Sequence, residues 1–437
     1  MTSVSSPQVS RPWNYLYAVS KLLVLVALLP YDALVYSVWP AKRPRPSWTL
    51  VETVLLLAVR RFLALVDTAG FTISSRDVFA TPSDRDRTKL AHQGIHFEWF
   101  DHGPIDPDLV DESVIDDPDV APRDKVGVFS WYRDRSPAPA PATGSGPASD
   151  SPLVGIFFHG GAFRHNCAHP KAHSTIMPRT LFEREPRFVA MHSVEFRLLP
   201  EFPFPAQLQD AAAVYVGLLK RGVDPREIVL IGDSSGANIA LSLARWVRDS
   251  LEKQDDETRT RARVSTSYAG TPIRWTLGDP LGLILFSPWI DPSHSFLDCA
   301  PRDYVARSNE CDYLLEEGPF RHALVESLLG RHRAREFVLS PYLSPGRVGV
   351  RRGTFVGHRP TFVAYGTGER GEAECARFVD SARRDGVQVA VTRTDDTPHD
   401  VLLLGFWNRT RRDEVWDGAL TFLKSLDSHA SAARQTE

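Results

Sequence analysis

Residues 228–238 read Ile228-Val229-Leu230-Ile231-Gly232-Asp233-Ser234-Ser235-Gly236-Ala237-Asn238, an apolar and largely β-branched run that leads straight into the pattern Gly-x-Ser-x-Gly. The apolar run predicts a buried parallel strand, and the apolar spacing in residues 237–244 predicts a helix. Ser234 then lies on a sharp turn that requires the two glycines, because a Cβ atom at either position would collide with neighbouring backbone. Such a turn presents the hydroxyl of Ser234 as a nucleophile, with the N–H of Ser235 directed at a developing oxyanion.

The composition is that of a globular protein with a buried core. Of 437 residues, 43% are hydrophobic and 24% are charged, which excludes a disordered chain. The length favours one large α/β domain with additions, or two domains. A formal net charge of −3 gives no reason to expect a nucleic-acid partner. The cysteines lack paired spacing, so we expect reduced thiols rather than disulfides or a zinc site; they are Cys167, Cys299, Cys311 and Cys375. We also expect no metal ion and no cofactor.

The N-terminal part of the chain contains two apolar segments. Residues 13–39 carry only two charged residues, Lys21 and Asp32, and a basic cluster follows at residues 42–45. This pattern predicts a membrane helix of about 20 residues, although Pro30 and Asp32 interrupt it. A cleavage site is not evident, which favours a retained anchor over a signal peptide. Residues 50–66 are amphipathic, and the alternative interpretation is that both helices simply cover the rest of the protein.

We therefore expect membrane association through these N-terminal helices, either spanning or interfacial. The candidate location is the endoplasmic reticulum membrane, and the alternative is the cytoplasm. The sequence does not predict the oligomeric state.

Strand and helix patterns alternate in the remaining chain. Residues 126–132 alternate like an edge strand, residues 153–158 and 188–196 resemble buried strands, and residues 206–220 form an amphipathic helical pattern. This alternation predicts a mainly parallel sheet with right-handed crossovers. The stretch 137–147, rich in Pro and Ala, predicts a flexible surface loop.

A second chemical signal follows the strand at residues 153–158, where the chain reads His159-Gly160-Gly161-Ala162-Phe163. Small residues after a strand leave backbone N–H groups exposed, as an oxyanion hole requires. We predict that the N–H groups of Gly160, Gly161 and Ala162 act with that of Ser235. His159 could serve as a base, but its position before the glycines favours a structural role in which the ring holds the loop by hydrogen bonds.

Four motifs in this order resemble the hormone-sensitive-lipase family of α/β-hydrolases, and within it the fungal esterases and arylacetamide deacetylases. The motifs are residues 159–162, Phe-Arg-Leu-Leu-Pro-Glu-Phe-Pro-Phe-Pro at 196–205, Gly-Asp-Ser-Ser-Gly at 232–236 and Ser-Pro-Trp-Ile-Asp at 287–291. The resemblance covers about residues 126–427. It implies an α/β-hydrolase fold with helices on both faces of a mainly parallel sheet. It also implies a helical cap and a carboxylic-ester hydrolase whose serine, carboxylate and histidine follow in that chain order.

Two partners for Ser234 are predicted downstream. His399 follows a strand at residues 387–393 and a short polar loop, which places an imidazole at the carboxyl edge of the sheet, where a base can reach the serine. In the family that the chain resembles, the acid directly follows the preceding strand, here residues 361–365. Glu369 fits that position. Glu372 is the alternative, and it begins a helix predicted over residues 372–384, where a carboxylate also interacts favourably with the helix dipole.

These observations predict three segments. Residues 1–70 are N-terminal helices that form a membrane anchor or cap, and residues 71–125 are a connecting segment with a strand-like patch at residues 95–100. Residues 126–430 form the catalytic domain with a cap insertion at about 291–345. The predicted activity is hydrolysis of a hydrophobic small-molecule or lipid ester by Ser234, His399 and Glu369 through an acyl-enzyme. The alternatives are other acyl-transfer chemistry on the same triad, such as thioester or amide hydrolysis or lactone formation in secondary metabolism, and an inactive membrane scaffold.

Overall fold

The structure, a computed structural model, describes residues 9–101, 117, 120–133, 151–254, 262–266, 272–296, 300–302, 310–314 and 319–434. The loop predicted at residues 137–147, Cys299 and parts of the predicted cap lie outside these ranges. The helices are α1 (Trp13–Val38), α2 (Leu50–Ala69), α3 (Asp84–Ala91), α4 (Ile176–Arg184), α5 (Ala206–Lys220), α6 (Ser235–Lys253), α7 (Pro319–Leu329), α8 (Glu372–Arg384) and α9 (Arg409–Arg434). The strands are β1 (Ile95–Asp101), β2 (Lys125–Tyr132), β3 (Leu153–Phe158), β4 (Phe188–Glu195), β5 (Ile228–Asp233), β6 (Arg263–Thr266), β7 (Pro272–Trp275), β8 (Gly282–Phe286), β9 (Thr361–Gly366) and β10 (Val389–Thr394).

Eight strands form the central sheet in the order β1-β2-β4-β3-β5-β8-β9-β10. The pairings of β1 with β2 and of β2 with β4 are antiparallel, and all the other pairings in this sheet are parallel. The prediction of a mainly parallel α/β sheet is therefore confirmed. The interpretation of residues 126–132 as an edge strand is wrong, because β1 pairs along β2 and buries it from Val126 to Tyr132.

Apolar side chains fill both faces of the sheet. In β5, Ile228 and Leu230 join the core on one face, which includes residues of α5, α6 and α8. Val229 and Ile231 join the opposite core, which includes residues of α2, α4 and α9. Successive residues of a strand point to opposite faces, so an uninterrupted apolar run is what a strand covered on both sides requires.

The carboxyl ends of four parallel strands lie in register at one edge of the sheet. Asp233 at the end of β5 pairs with Phe286 of β8, and Phe286 pairs with Ala364 of β9. Ala364 in turn pairs with Thr392 of β10. Loops that leave these strands therefore meet at the same edge, where parallel α/β folds build their sites.

The helices α1 and α2 pack against each other. Within the described residues, α1 is the one helix long and apolar enough to cross a membrane by length and composition. A capping box starts α2: Glu52 N–H donates to the Thr49 hydroxyl, and Thr49 N–H donates to the Glu52 carboxylate. Gly70, with φ of 72°, ends this helix in a left-handed conformation that glycine adopts without strain.

Candidate active site

Ser234 occupies the turn between β5 and α6 in a strained conformation, with φ of 50° and ψ of −119°. The neighbouring glycines allow the close approach. A Cβ atom on Gly232 would lie 2.4 Å from the Gly236 carbonyl oxygen, and one on Gly236 would lie 2.0 Å from the carbonyl oxygen of Phe158. Backbone hydrogen bonds from Ser234 N–H to Phe286 and from Trp289 N–H to Ser234 hold the turn.

The three predicted catalytic side chains lie together at the carboxyl edge of the sheet. The Ser234 Oγ is 2.8 Å from His399 Nε2, and His399 Nδ1 is 3.3 Å from Glu369 Oε2. Glu369 Oε1 accepts hydrogen bonds from the Ser287 hydroxyl and the Gly366 N–H, both at 2.7 Å. With its other oxygen fixed in this way, Glu369 can orient the imidazole so that Nε2 faces the serine.

Glu372 takes a different place from Glu369. It begins α8 and pairs with Arg393 at 2.7 Å, on the outside of the molecule. The carboxylate that contacts His399 Nδ1 is thus Glu369, and Glu372 fits the alternative reading of a residue that stabilises a helix start.

Asp400 is a further carboxylate at this site, and the sequence motifs predict no role for it. Its Oδ2 is 3.2 Å from His399 Nε2, the nitrogen that also faces Ser234. Asp400 adopts a left-handed conformation with φ of 46°, and its N–H donates to Ser287 Oγ at 3.0 Å. The only signal in the sequence is that Asp400 directly follows His399. This signal is weak, because the side chains of neighbouring residues usually point apart. Here the left-handed turn brings the carboxylate back to the ring.

The charges around His399 favour its protonated form. Burial by itself lowers the pKa of His399, but Asp400 and Glu369 outweigh this effect and raise the pKa well above its ordinary value. Burial raises the pKa of Glu369 to about 7, and the hydrogen bond to His399 acts in the opposite direction. An imidazole between two buried carboxylates is a strong base for the hydroxyl of Ser234.

One of the four predicted oxyanion-hole donors already donates its hydrogen bond to another group. The N–H of Gly160 donates to Asp233 Oδ1 at 2.7 Å, so we remove Gly160 from the set of donors. Gly161 and Ala162 follow with φ of 118° and 53°. Among the described residues, neither of their N–H groups has a hydrogen-bond acceptor. Gly161, Ala162 and Ser235 therefore remain the candidate donors.

His159 supports the loop that carries these donors. Its ring stacks on Phe196 with centroids 4.2 Å apart, and its Nδ1 lies 2.9 Å from the Gly160 carbonyl oxygen. Burial lowers the pKa of His159 to about 4, so the ring is neutral and Nδ1–H can donate to that carbonyl. The predicted structural role of His159 is confirmed.

The described residues contain no group of three or more His, Cys, Asp or Glu side chains that could hold a metal ion. Cys167, Cys311 and Cys375 are buried free thiols, as predicted for these three.

A protein-family model described as the alpha/beta hydrolase fold matches residues 155–403, which is more than half of the chain. The protein belongs to the α/β-hydrolase-fold family. The predicted fold class is thereby confirmed, and so is the resemblance drawn from the four motifs, since the relatives include arylacetamide deacetylase-like 2 of Homo sapiens, 36% identical over 22% of this chain and 25% of that protein.

Other relatives carry esterase names. An acetyl-hydrolase of Streptomyces hygroscopicus is 27% identical over 42% of this chain, and the match spans only half of that protein. An esterase of Acinetobacter venetianus is 26% identical over 62% of this chain and 71% of that protein. Among solved structures, an esterase/lipase from an uncultured bacterium has a TM-score of 0.50 at 19% identity, covering 86% of this chain and 97% of its own. This likeness concerns the fold.

Proposed function

We propose that this α/β-hydrolase is a serine hydrolase that cleaves carboxylic esters of a hydrophobic small molecule or lipid. The observation that carries the proposal is the contact chain from Ser234 Oγ through His399 to Glu369, with distances of 2.8 and 3.3 Å. The esterase and acetyl-hydrolase names of its relatives support the same reaction class.

In the proposed mechanism, His399 Nε2 takes the proton of the Ser234 hydroxyl as its oxygen attacks the ester carbonyl. The N–H groups of Gly161, Ala162 and Ser235 stabilise the oxyanion, and loss of one such donor typically costs about 3 kcal/mol of barrier. Protonated His399 then gives its proton to the departing alcohol. Water, activated by the same ring, releases the acid and restores the serine.

Aromatic side chains around the serine support a hydrophobic substrate. The ring of Tyr313 lies 5.9 Å from the His399 ring, and the rings of Phe163 and Trp289 are 5.8 Å apart beside the turn that carries Ser234. Such walls favour apolar acyl or alcohol groups over charged ones. We further propose that α1 associates the protein with a membrane, from which lipid-like esters can be drawn.

The test is turnover of p-nitrophenyl esters of increasing chain length, together with labelling by a fluorophosphonate. We expect Ser234→Ala to abolish labelling and to lower turnover by roughly 10⁴–10⁶-fold. Ser174→Ala is the matched control, because Ser174 is equally buried and its hydroxyl has no hydrogen-bond partner among the described residues.

Absence of turnover and labelling in the intact protein would contradict the proposal and favour the scaffold alternative. A parallel panel of thioesters, amides and hydroxy acids distinguishes ester hydrolysis from the other acyl-transfer reactions. Faster turnover of that panel than of esters would replace the proposed substrate class.

A further inference from the structure

The exposed surface of α1 is largely apolar, and Ser20, Lys21 and Ser37 are the polar residues exposed along it. Eleven large apolar side chains of this helix expose between 48% and 66% of their surface, among them Trp13, Val19, Leu23, Val26, Leu34 and Val38. Asp32, one of the two charged residues of the helix, is turned inward and forms an ion pair with Arg61 of α2. So many exposed apolar side chains on one helix of a folded protein mark a site of interaction.

Contacts fix α1 to α2 at both ends and between them. Near the start of α1, the Asn14 side-chain amide donates to the carbonyl oxygen of Ala69 at 3.2 Å. The Asp32–Arg61 ion pair lies further along. Beyond the end of α1, the Arg43 guanidinium donates to the carbonyl oxygens of Tyr36 at 3.2 Å and Trp48 at 2.8 Å. The two helices therefore form one rigid hairpin.

The hairpin is in turn fixed to the loops of the candidate active site. At the end of α2, Asp67 lies 3.1 Å from His165 Nε2, in the loop that carries Gly161 and Ala162. Before the start of α2, the Trp48 indole N–H donates to the carbonyl oxygen of Asp396 at 2.6 Å, in the loop that carries His399. Because both ends of α2 are held and α1 packs on α2, the orientation of α1 relative to the catalytic domain is fixed through α2.

This geometry distinguishes the two modes of membrane attachment. A helix of 26 residues is about 39 Å long, which is enough to span a bilayer. If α1 stood perpendicular to the membrane, however, it would carry the charged Asp32–Arg61 pair and much of α2 into the hydrocarbon, or its contacts with α2 would break.

The ends of α1 suit an orientation in the plane of the membrane. Trp13 begins the helix and Trp39 follows it, and both are exposed, as is typical of aromatic residues at the lipid–water boundary. The Lys42 ammonium lies 5.0 Å from the Trp39 ring, where it can meet anionic headgroups. Lys21, near the Tyr17 ring, has a stem long enough to reach the headgroups.

We propose that α1 lies flat in one leaflet of a lipid bilayer, with its apolar face among the acyl chains and the active-site entrance turned toward the lipid. This inference rests on the membrane association proposed above and specifies its geometry. The hairpin lies beside the segment that covers the catalytic histidine: Cys311 Sγ is 3.9 Å from the Pro44 carbonyl oxygen, and Tyr313 packs on His399. An ester dissolved in the leaflet then reaches Ser234 without crossing bulk water.

The first experiment is flotation of the full chain with phosphatidylcholine vesicles containing one-fifth phosphatidylserine, as a test of lipid binding. Val19 and Leu23 are 58% and 66% exposed on α1, and we expect the double variant Val19→Glu/Leu23→Glu to bind at least about tenfold more weakly. Val356→Glu is the matched control, since Val356 is 55% exposed in the turn before β9, at the opposite edge of the sheet. Unchanged turnover of a water-soluble ester by both variants shows that they are folded.

The second experiment measures the orientation of α1. Ser20 and Ser37 are exposed positions of α1 about 26 Å apart along its axis. Each of these serines is replaced by Cys and labelled with a nitrobenzoxadiazole fluorophore. Cys299 is replaced by Ser in both variants, and the other three cysteines are kept because they are buried. We expect dithionite outside the vesicles to reduce both labels to the same extent.

Three results would overturn the inference. Protection of the Ser20→Cys label with reduction of the Ser37→Cys label would show a spanning helix. A dimer in light scattering that Val19→Glu/Leu23→Glu dissociates, without vesicle binding, would show that a second copy covers the face. Absence of flotation with intact turnover of the soluble ester would reject lipid docking and leave the proposed hydrolase activity standing, whereas loss of that turnover in the wild type would reject the activity itself.

Discussion

Asp400 places a second carboxylate beside the ring of His399. Its Oδ2 and the Ser234 Oγ both approach His399 Nε2, at 3.2 and 2.8 Å. While the ring is neutral, Nε2 accepts a hydrogen bond from the serine. Once the ring is protonated, the new N–H can donate to Asp400. In the mechanism proposed above, the carboxylate therefore stabilises the imidazolium, in addition to Glu369 on the other side.

This arrangement predicts the pH dependence of the reaction. His399 acts as a base only when it is neutral, so its raised pKa moves the acid limb of kcat/KM to higher pH. Asp400→Asn removes one of the two carboxylates, lowers the pKa of His399 and should shift that limb to lower pH. The measurement is kcat/KM for a neutral p-nitrophenyl ester as a function of pH.

The control for this prediction is Asp395→Asn, which changes the net charge equally at an exposed position of the same loop. It should leave the acid limb where it is. If Asp400→Asn and the wild type share one acid limb, Asp400 does not act on the proton of His399.

At the scale of elements, the turn after β5 depends on the absence of a side chain at Gly236. A Cβ atom there would lie 2.0 Å from the carbonyl oxygen of Phe158 in the neighbouring strand β3, and backbone cannot move away without disturbing the sheet. We expect Gly236→Ala to lower the free energy of unfolding by at least about 3 kcal/mol, measured by urea denaturation. Gly405→Ala, where no atom lies within 4 Å of the added Cβ, should change it by less than about 0.5 kcal/mol.

Elements with a strong periodic signal were predictable from the sequence. The strand at residues 153–158 and the helices at 206–220 and 372–384 have the predicted bounds. For β2 the predicted strand is confirmed and only its edge position is wrong, because whether a strand lies at an edge depends on a distant partner. Here that partner is β1, in the segment 71–125, for which the sequence predicts a connection with a strand-like patch at residues 95–100 but not the pairing of that patch with β2.

Within the site, sequence order was enough to place Ser234 and His399 at one edge of the sheet, since both follow parallel strands. The sequence could not decide how individual N–H groups are used. The hydrogen bond from Gly160 N–H to the Asp233 carboxylate joins two loops 73 residues apart in the sequence, and no local sequence pattern encodes such a bond. The left-handed turn at Asp400 was equally invisible, because aspartate can adopt this conformation but most aspartates do not, so the residue type alone does not predict it.

At the scale of the whole molecule, buried ionisable groups link stability to pH. His192 is 2% exposed, and burial lowers its pKa to about 4, compared with about 6.5 in an unfolded chain. The unfolded chain therefore binds more protons between these values. The stability that the neutral ring contributes is fully present above pH 6.5 and is lost as the pH falls toward 4.

We expect the wild type to lose about 2 kcal/mol more stability than His192→Gln between pH 7 and pH 5. The measurement is urea denaturation at both pH values, and the double difference removes the contribution of all other groups. His92→Gln, at an exposed position, should show the pH dependence of the wild type. Parallel stability curves for His192→Gln and the wild type would mean that His192 is not neutral in the folded protein.

The two carboxylates that flank His399 also bear on which alcohols can leave. An imidazole with a raised pKa accepts a proton readily from a serine hydroxyl. Once protonated, it donates that proton only slowly to a departing oxygen. Phenols and enols depart as anions and need little help, whereas simple alkyl alcohols must be protonated as their bond to the acyl carbon breaks. For the hydrolase activity proposed above, we therefore expect aryl and enol esters to be cleaved faster than alkyl esters of the same acyl chain, so that the acidity of the departing alcohol matters as well as the acyl length.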